Sequence, residues 1–365
     1  MIVRWIAALL AFAIVAGVGL VGFGNFLTGV DEGVFYDIEG ANSFGLVFAV
    51  AVVMAFVVYA AVEYAQTRSL SSITRQFDTR TIVLMPVAIA INIVLGAAVA
   101  SALKIPIYLD SIGTILVGAL AGPIPGALTG FLTNLLWTYV VPPPFNSGAA
   151  AAFAIVAVVI GILAGFIGRA GWLRPRPNQP MRSLVVWAII TVVVIAAMSY
   201  LAYLGYIAII GPVAIEVANS NPAFVVLGYL ALALVAGTVL GLLYLLFARR
   251  DLTAAFVVVG GLLTGIIAAV ISAPIAANVF GGVTGAGTDF LVAAFRQAGL
   301  DVANATLGQG LISDPIDKVT TFFVVYLIII ALPMRAKARF PQGERLVERG
   351  EASPTDDDGW RGAAV

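Results

Sequence analysis

The chain has 365 residues, 61% of them hydrophobic and only 10% charged, with equal numbers of acidic and basic side chains. A soluble domain of this length carries roughly a quarter charged residues because its surface faces water, so the outer surface here is expected to face lipid, and no net charge draws the chain toward nucleic acid. Cysteine and histidine are both absent, which excludes disulfides, thiolate metal sites, cysteine nucleophiles and the Ser-His pair of a hydrolase; no catalytic residue, metal site or cofactor is expected.

A helix rising 1.5 Å per residue needs about 20 apolar residues to cross the hydrocarbon core. The first such run, 5–26, follows Arg4 and lacks a clear Ala-x-Ala cleavage site, so it reads as an uncleaved helix. Runs at 44–65 and 81–103 follow. Residues 111–141 are too long for one span and are broken by Gly122-Pro123-Ile124-Pro125-Gly126, predicting a short helix that turns into a longer returning one. Further runs lie at 149–167, 184–206, 223–247, 254–275 and 319–332, making ten membrane segments of an all-α polytopic membrane protein.

Alternating these segments gathers Arg68, Arg75, Arg80, Arg169, Arg174, Arg176, Arg182, Arg249, Arg250, Arg335, Lys337 and Arg339 on one side. Acids such as Asp31, Asp37, Asp110, Glu216, Asp289, Asp301, Asp314 and Asp317 fall on the other. The positive-inside rule then predicts a multi-pass protein of the plasma membrane with both termini cytoplasmic. The organisation reads as a leading hairpin (1–66), a polar cytoplasmic link (67–80), a glycine-rich four-segment unit (81–182), a second hairpin (183–250), a Gly-, Thr- and Asp-rich part (251–340) and a charged, disordered cytoplasmic tail (341–365). The chain carries no convincing internal repeat, which counts against an inverted-repeat secondary transporter.

Polar atoms in lipid are costly, so their grouping is informative. Gly122, Gly126, Gly130 and Asn134 recur every four residues on one face. The glycines suit close helix packing, whereas Asn134, near Trp137 and toward the outer surface, reads either as a packing asparagine or as a ligand contact. Ala88, Asn92, Gly96 and Ala100 form a second small-residue stripe, read either as internal packing or as a flat face for a partner's helix. Four outer connections carry the other polar groups: 106–111 with Asp110, 142–148 with Asn146, 272–290 with Thr284 and Asp289, and 313–318 entering the last helix. Asp289 reads as a helix cap or a ligand contact, and Asp317 and Lys318 as ligand contacts or markers of the membrane boundary. A pocket built from these connections would open outward and suit a small, partly polar, partly planar molecule. No G-x-x-x-x-G-K-[ST] motif is present, so ATP-driven work would fall to other subunits. No span carries an acid in its core, which disfavours a stand-alone ion-coupled transporter; a membrane sensor or accessory subunit is a further alternative.

The stretch IPIYLDSIGTILVGALAGPIPGALTGFLTNLLW (105–137), followed by FGGVTGAGTD (280–289), SDPIDK (313–318) and LPMRAKARFP (332–341), resembles the S components of energy-coupling factor (ECF) transporters, in an uncharacterised subgroup marked by LDSIGT and FGGVTGxGTD. The resemblance covers roughly 81–182 and 251–341, about half the chain. It implies a six-helix core binding a vitamin or related micronutrient near the outer face, with two extra helical hairpins at 1–66 and 183–250. It also implies docking, through the first core helix and hence Ala88, Asn92, Gly96 and Ala100, onto a coupling transmembrane subunit driven by two ABC-type ATPases. Asp110, Asn134, Trp137, Asn146, Thr284 and Asp289 are the expected ligand-binding residues.

Overall fold

The computed structural model describes residues 2–22, 38–102, 108–143, 145–203 and 222–347. The predicted acids Asp31, Asp37 and Glu216, the side chain of Ala100 and the tail beyond residue 347 lie outside the described residues. The eleven helices that matter are α1 (Ile2–Gly22), α2 (Ile38–Thr67), α3 (Thr79–Ala102), α4 (Ile112–Ala121), α5 (Pro123–Tyr139), α6 (Ala154–Arg169), α7 (Met181–Tyr203), α8 (Pro222–Phe247), α9 (Thr253–Phe280), α10 (Asp289–Gln297) and α11 (Val302–Ala331). No strand occurs among the described residues. Five helical stretches, Ile2–Gly22, Gly40–Thr67, Thr79–Ala97, Ala150–Arg169 and Thr253–Phe280, are long and apolar enough to cross a bilayer; the first three leave most of their length uncovered by the rest of the chain, and the last two are more than half buried within it. The protein is therefore an all-α, multi-pass membrane protein.

The predicted break falls at Gly122, whose φ of 130° and ψ of 176° are open to glycine and closed to residues with a Cβ. Pro123 then takes the first position of α5, where its missing N–H costs nothing. Because α4 has only 10 residues, it rises about 15 Å, roughly half of the hydrocarbon thickness.

The four-residue glycine face of α5 is packing surface. A methyl group on Gly126 would strike Gly118 in α4 and the Gly161 carbonyl in α6, and one on Gly130 would strike the Ala157 carbonyl. Backbone thus lies directly on backbone across α4, α5 and α6, as small residues allow in membranes. A second such pair is α9 with α11, which cross at Gly261 against Val319 and at Gly265 against Pro315.

Three sequence expectations need correction here. The last helix does not begin near residue 319 but at Val302, where the Asp301 carboxylate accepts the Asn304 N–H at 2.8 Å. Those hydrogen bonds from the Asn304 backbone and side chain hold the exposed Asp301 carboxyl below its usual range. Its capping contribution is therefore present above the unfolded pKa and lost as pH falls through the lowered one. Ser313 to Lys318 accordingly lie inside a 30-residue helix, not in a connection leading to it, and residues 272–280 belong to α9, leaving a glycine loop only at 281–288. The tail also starts ordered: Gln342 N–H donates to the Leu120 carbonyl at 2.8 Å, and Leu346 is fully buried.

The leading hairpin packs onto the rest. Arg4 Nη1 pairs with the buried Glu63 at 3.0 Å. Glu63 also accepts from the Ser72 N–H at 2.7 Å and its hydroxyl at 2.6 Å, tying α1, α2 and the cytoplasmic link of the sequence reading together. Trp5 lies 5.9 Å from Phe166 of α6. The second hairpin meets α11 where Gly241 of α8 receives the Phe323 ring.

Candidate functional site

Because α4 stops halfway, the space above its start at Ser111 is filled by no helix of its own. A cavity of about 330 Å³ occupies this level, bounded by α5, α6, α9 and α11 and by the loops at 145–149 and 284–286. Of the predicted ligand residues, Asp110, Asn134, Trp137, Asn146 and Thr284 all line it. Exposed Phe145 and Asn146 form part of its rim, so the cavity reaches the surface.

Each wall residue is placed by identifiable forces. The Trp137 indole N–H donates to the Phe145 carbonyl at 2.9 Å, pinning the ring to the proline loop that follows α5. Asn134, one turn earlier, is 7% exposed and its amide has no hydrogen-bond partner among the described residues. The amide opens into the cavity, where it is available to whatever occupies that space. Thr284 is held by Asp289, whose Oδ1 accepts the Thr284 hydroxyl at 2.9 Å and its N–H at 3.1 Å, while Oδ2 accepts the Gly285 N–H at 2.7 Å. Positive φ at Gly281, Gly282 and Gly285 lets the chain fold back over this carboxylate. Asp289 itself does not line the cavity; as a direct ligand contact the expectation is corrected, because both carboxylate oxygens are turned into the loop.

The 313–318 segment, whose Asp317 and Lys318 are read from sequence as ligand contacts or markers of the membrane boundary, brings charges to the cavity. Lys318 Nζ lies 2.5 Å from Asp317 Oδ2, 2.8 Å from the Ser111 hydroxyl and 3.8 Å from Asp110. Asp317 Oδ1 accepts the N–H groups of Tyr108 at 3.0 Å and Leu109 at 2.9 Å, and its side chain is wholly buried. Leu109 takes a φ of 53°, a left-handed conformation rare for leucine, which these bonds help to hold. Asp314, one turn before Lys318, lines the cavity with only long contacts to the Ser272 and Ser313 hydroxyls, at 3.4 Å and 3.3 Å. The Tyr108 hydroxyl shares a 2.7 Å bond with Thr288, linking the loop at 108–111 to the glycine loop. The charges of Asp314, Asp317 and Lys318 thus lie inside α11, which is not among the five stretches long and apolar enough to cross a bilayer. The available signal was the spacing: Asp314, Asp317 and Lys318 stand at i, i+3 and i+4, one helical face.

The small-residue stripe on α3 faces inward. Ala88 and Asn92 are fully buried. Asn92 donates to Thr114 at 2.9 Å and Thr133 at 3.1 Å, and accepts from the Gly113 N–H at 2.7 Å. Gly96 sits against the Trp137 ring and the Asp110 Cβ. The reading of this stripe as a surface for a partner's helix is corrected for Ala88, Asn92 and Gly96, which are covered by the chain's own α4 and α5. Gly96→Leu is therefore expected to push on the cavity wall and to cost about 1–3 kcal/mol of stability. Val94→Leu, at an exposed position two residues away, is expected to leave the thermal midpoint unchanged; equal midpoints for the two variants would refute the inward placement.

The fold and site together define an α-helical membrane protein with a charged, partly aromatic cavity within its helical bundle. Comparison with protein-family models, with curated proteins and with solved structures finds no match for the chain.

Proposed function

We propose that the chain captures a small solute in this cavity, as the substrate-binding membrane subunit of an importer of the energy-coupling factor type. One observation carries the reading: three separate motifs that underlie the family resemblance meet at one cavity. The 109–114 motif supplies Asp110 and Ser111, the 280–289 motif supplies Thr284 and Gly285, and the 313–318 motif supplies Asp314 and Lys318. Its volume lies at the lower end of small-molecule sites, which run from roughly 300 to 1,000 Å³. In this reading ten segments cross the plasma membrane, both termini are cytoplasmic, and a six-helix core carries two added hairpins. The cargo is a vitamin or related micronutrient, and a coupling transmembrane subunit with two ABC-type ATPases supplies the work. Because most of the α3 stripe is covered, docking on that subunit uses another lipid-facing surface.

Native mass spectrometry of the gently purified chain tests the capture step. The wild type is expected to retain a small molecule, and Asn134→Ala to reduce its occupancy about tenfold, the effect of losing one well-placed hydrogen bond to a ligand. Asp289→Ala is expected to reduce it less, because that carboxylate acts through the loop. Unchanged occupancy in Asn134→Ala would remove the amide from the site.

A second reading, an ion-coupled transporter acting alone, is favoured by the buried Asp314, Asp317 and Lys318 in α11, since ionisable side chains inside membrane helices commonly mark ion or proton pathways. Uptake that requires coexpressed coupling and ATPase subunits supports the first reading. Uptake that persists without them, and stops when proton and sodium gradients are dissipated, supports the second.

A further inference from the structure

The balance of charge around the cavity goes further than the presence of a site. Three acids, Asp110, Asp314 and Asp317, surround one base, Lys318. Lys318 is committed to Asp317, the nearest acid at 2.5 Å, and Asp317 is fully engaged by that ammonium and by two backbone N–H groups. Asp110 is left with an ammonium 3.8 Å away, and Asp314 with two long hydroxyl contacts, yet both face the cavity. Among the described residues no arginine and no second lysine lines it.

A carboxylate removed from water and lacking a close cation is costly. Asp314, 6% exposed, is in that position, whereas Asp110 keeps 31% of its side-chain surface exposed and lines the same cavity; a ligand cation between the two removes the cost at Asp314 and pairs with Asp110. The remaining wall agrees. Tyr108, Trp137 and Phe153 line the same space, and aromatic faces attract cations, more strongly where water is excluded. The unpartnered amide of Asn134 adds an independent observation, because it asks for a hydrogen-bonding edge on whatever fills the cavity. A bare metal ion fits poorly: the described residues contain no group of three acids close enough to hold one, and the volume is that of a small organic molecule.

We infer that the cavity selects a small planar solute bearing a protonated amine or amidinium, with Asp110 and Asp314 facing the cation and Asn134 bonding a polar edge. This inference rests on the capture reading and narrows it to a charge class.

The test uses three probes of one shape and different charge, titrated calorimetrically into the full-length chain in nanodiscs: benzamidine as its cation, benzamide as the neutral analogue and benzoate as the anion. Benzamidinium is expected to bind at least about tenfold more tightly than benzamide, in line with a hydrogen bond to a charged partner, with benzoate weakest. Asp110→Asn and Asp314→Asn, which keep side-chain shape, are each expected to lower the benzamidinium-to-benzamide ratio about tenfold while leaving benzamide affinity in place. Asn134→Ala should weaken both probes together. The wild-type ratio needs no variant, so it stands even if a substitution impairs folding. Equal binding of benzamidinium and benzamide, or preference for benzoate, would overturn the charge assignment and leave the capture reading intact. A cation preference that survives both aspartate substitutions would place it elsewhere and overturn the inference. If none of the three probes binds, the inference and the capture reading both fall.

Discussion

Replacing Asp317 with alanine is expected to destabilise the folded chain more than any other single loss of a polar group at the site. The side chain is fully buried and answers three donors at once: the Lys318 ammonium and the N–H groups of Tyr108 and Leu109. Without it the ammonium keeps only the Ser111 hydroxyl at 2.8 Å and Asp110 at 3.8 Å, and two backbone donors lose their acceptor. Breaking a buried pair from one side costs about 3–5 kcal/mol, because the remaining charge is stranded. Removing both members is milder for the same reason. The double variant Asp317→Leu with Lys318→Met is therefore expected to melt, in detergent, at a temperature between wild type and Asp317→Ala. A double variant less stable than the single one would mean that Lys318 does not depend on Asp317.

The second large effect is expected at Gly161. Its missing side chain is the reason α6 can lie against α5, since an added methyl would collide with the carbonyl group of Gly126 and the nitrogen of Ala127. These are backbone atoms of a neighbouring helix, and no rotamer change can move them aside. Overpacking a tight core costs about 1–3 kcal/mol and sometimes more; Gly161→Val belongs at or above the top of that range. Gly237 in α8 provides the control, because nothing lies within 4 Å of the position its Cβ would take. There, Gly→Ala is expected to be neutral or to stabilise by up to about 1 kcal/mol through helix propensity. The thermal midpoints of the two variants should move in opposite directions or differ widely. Similar midpoints would show that the α5–α6 crossing is looser than described.

What the sequence revealed and what it hid follow from the range of the forces involved. The turn at Gly122 and the glycine face of α5 were legible because proline and glycine act on their own backbone. The membrane class was legible because apolar length is a local property. Asp110, Asn134, Trp137, Asn146 and Thr284 could be grouped because they share one end of alternating segments. The 313–318 segment was legible as polar and near the pocket, but its place inside a helix was not, because a hydropathy reading takes charges as the end of a helix. Here the cost of burying Asp317 and Lys318 is offset by partners more than two hundred positions away, the Tyr108 and Leu109 N–H groups for Asp317 and the Ser111 hydroxyl for Lys318. The α3 stripe escaped for another reason: small residues spaced by four look alike whether they meet the same chain or a different one. Only the bonds of Asn92 to Thr114 and Thr133 decide the matter.

The cavity has two kinds of wall. Toward α5 and α6 it is backed by main chain seated on main chain, where volume can neither be gained nor surrendered without prying the helices apart. Toward the protein surface it is bordered by the short turns at 145–149 and 284–286, held by a hydrogen bond that Trp137 donates and by those that Asp289 accepts. If the chain captures a solute as proposed, change in what it accepts is confined to the loop side: substitutions in those turns can reshape the entrance while the rear of the chamber keeps its contour.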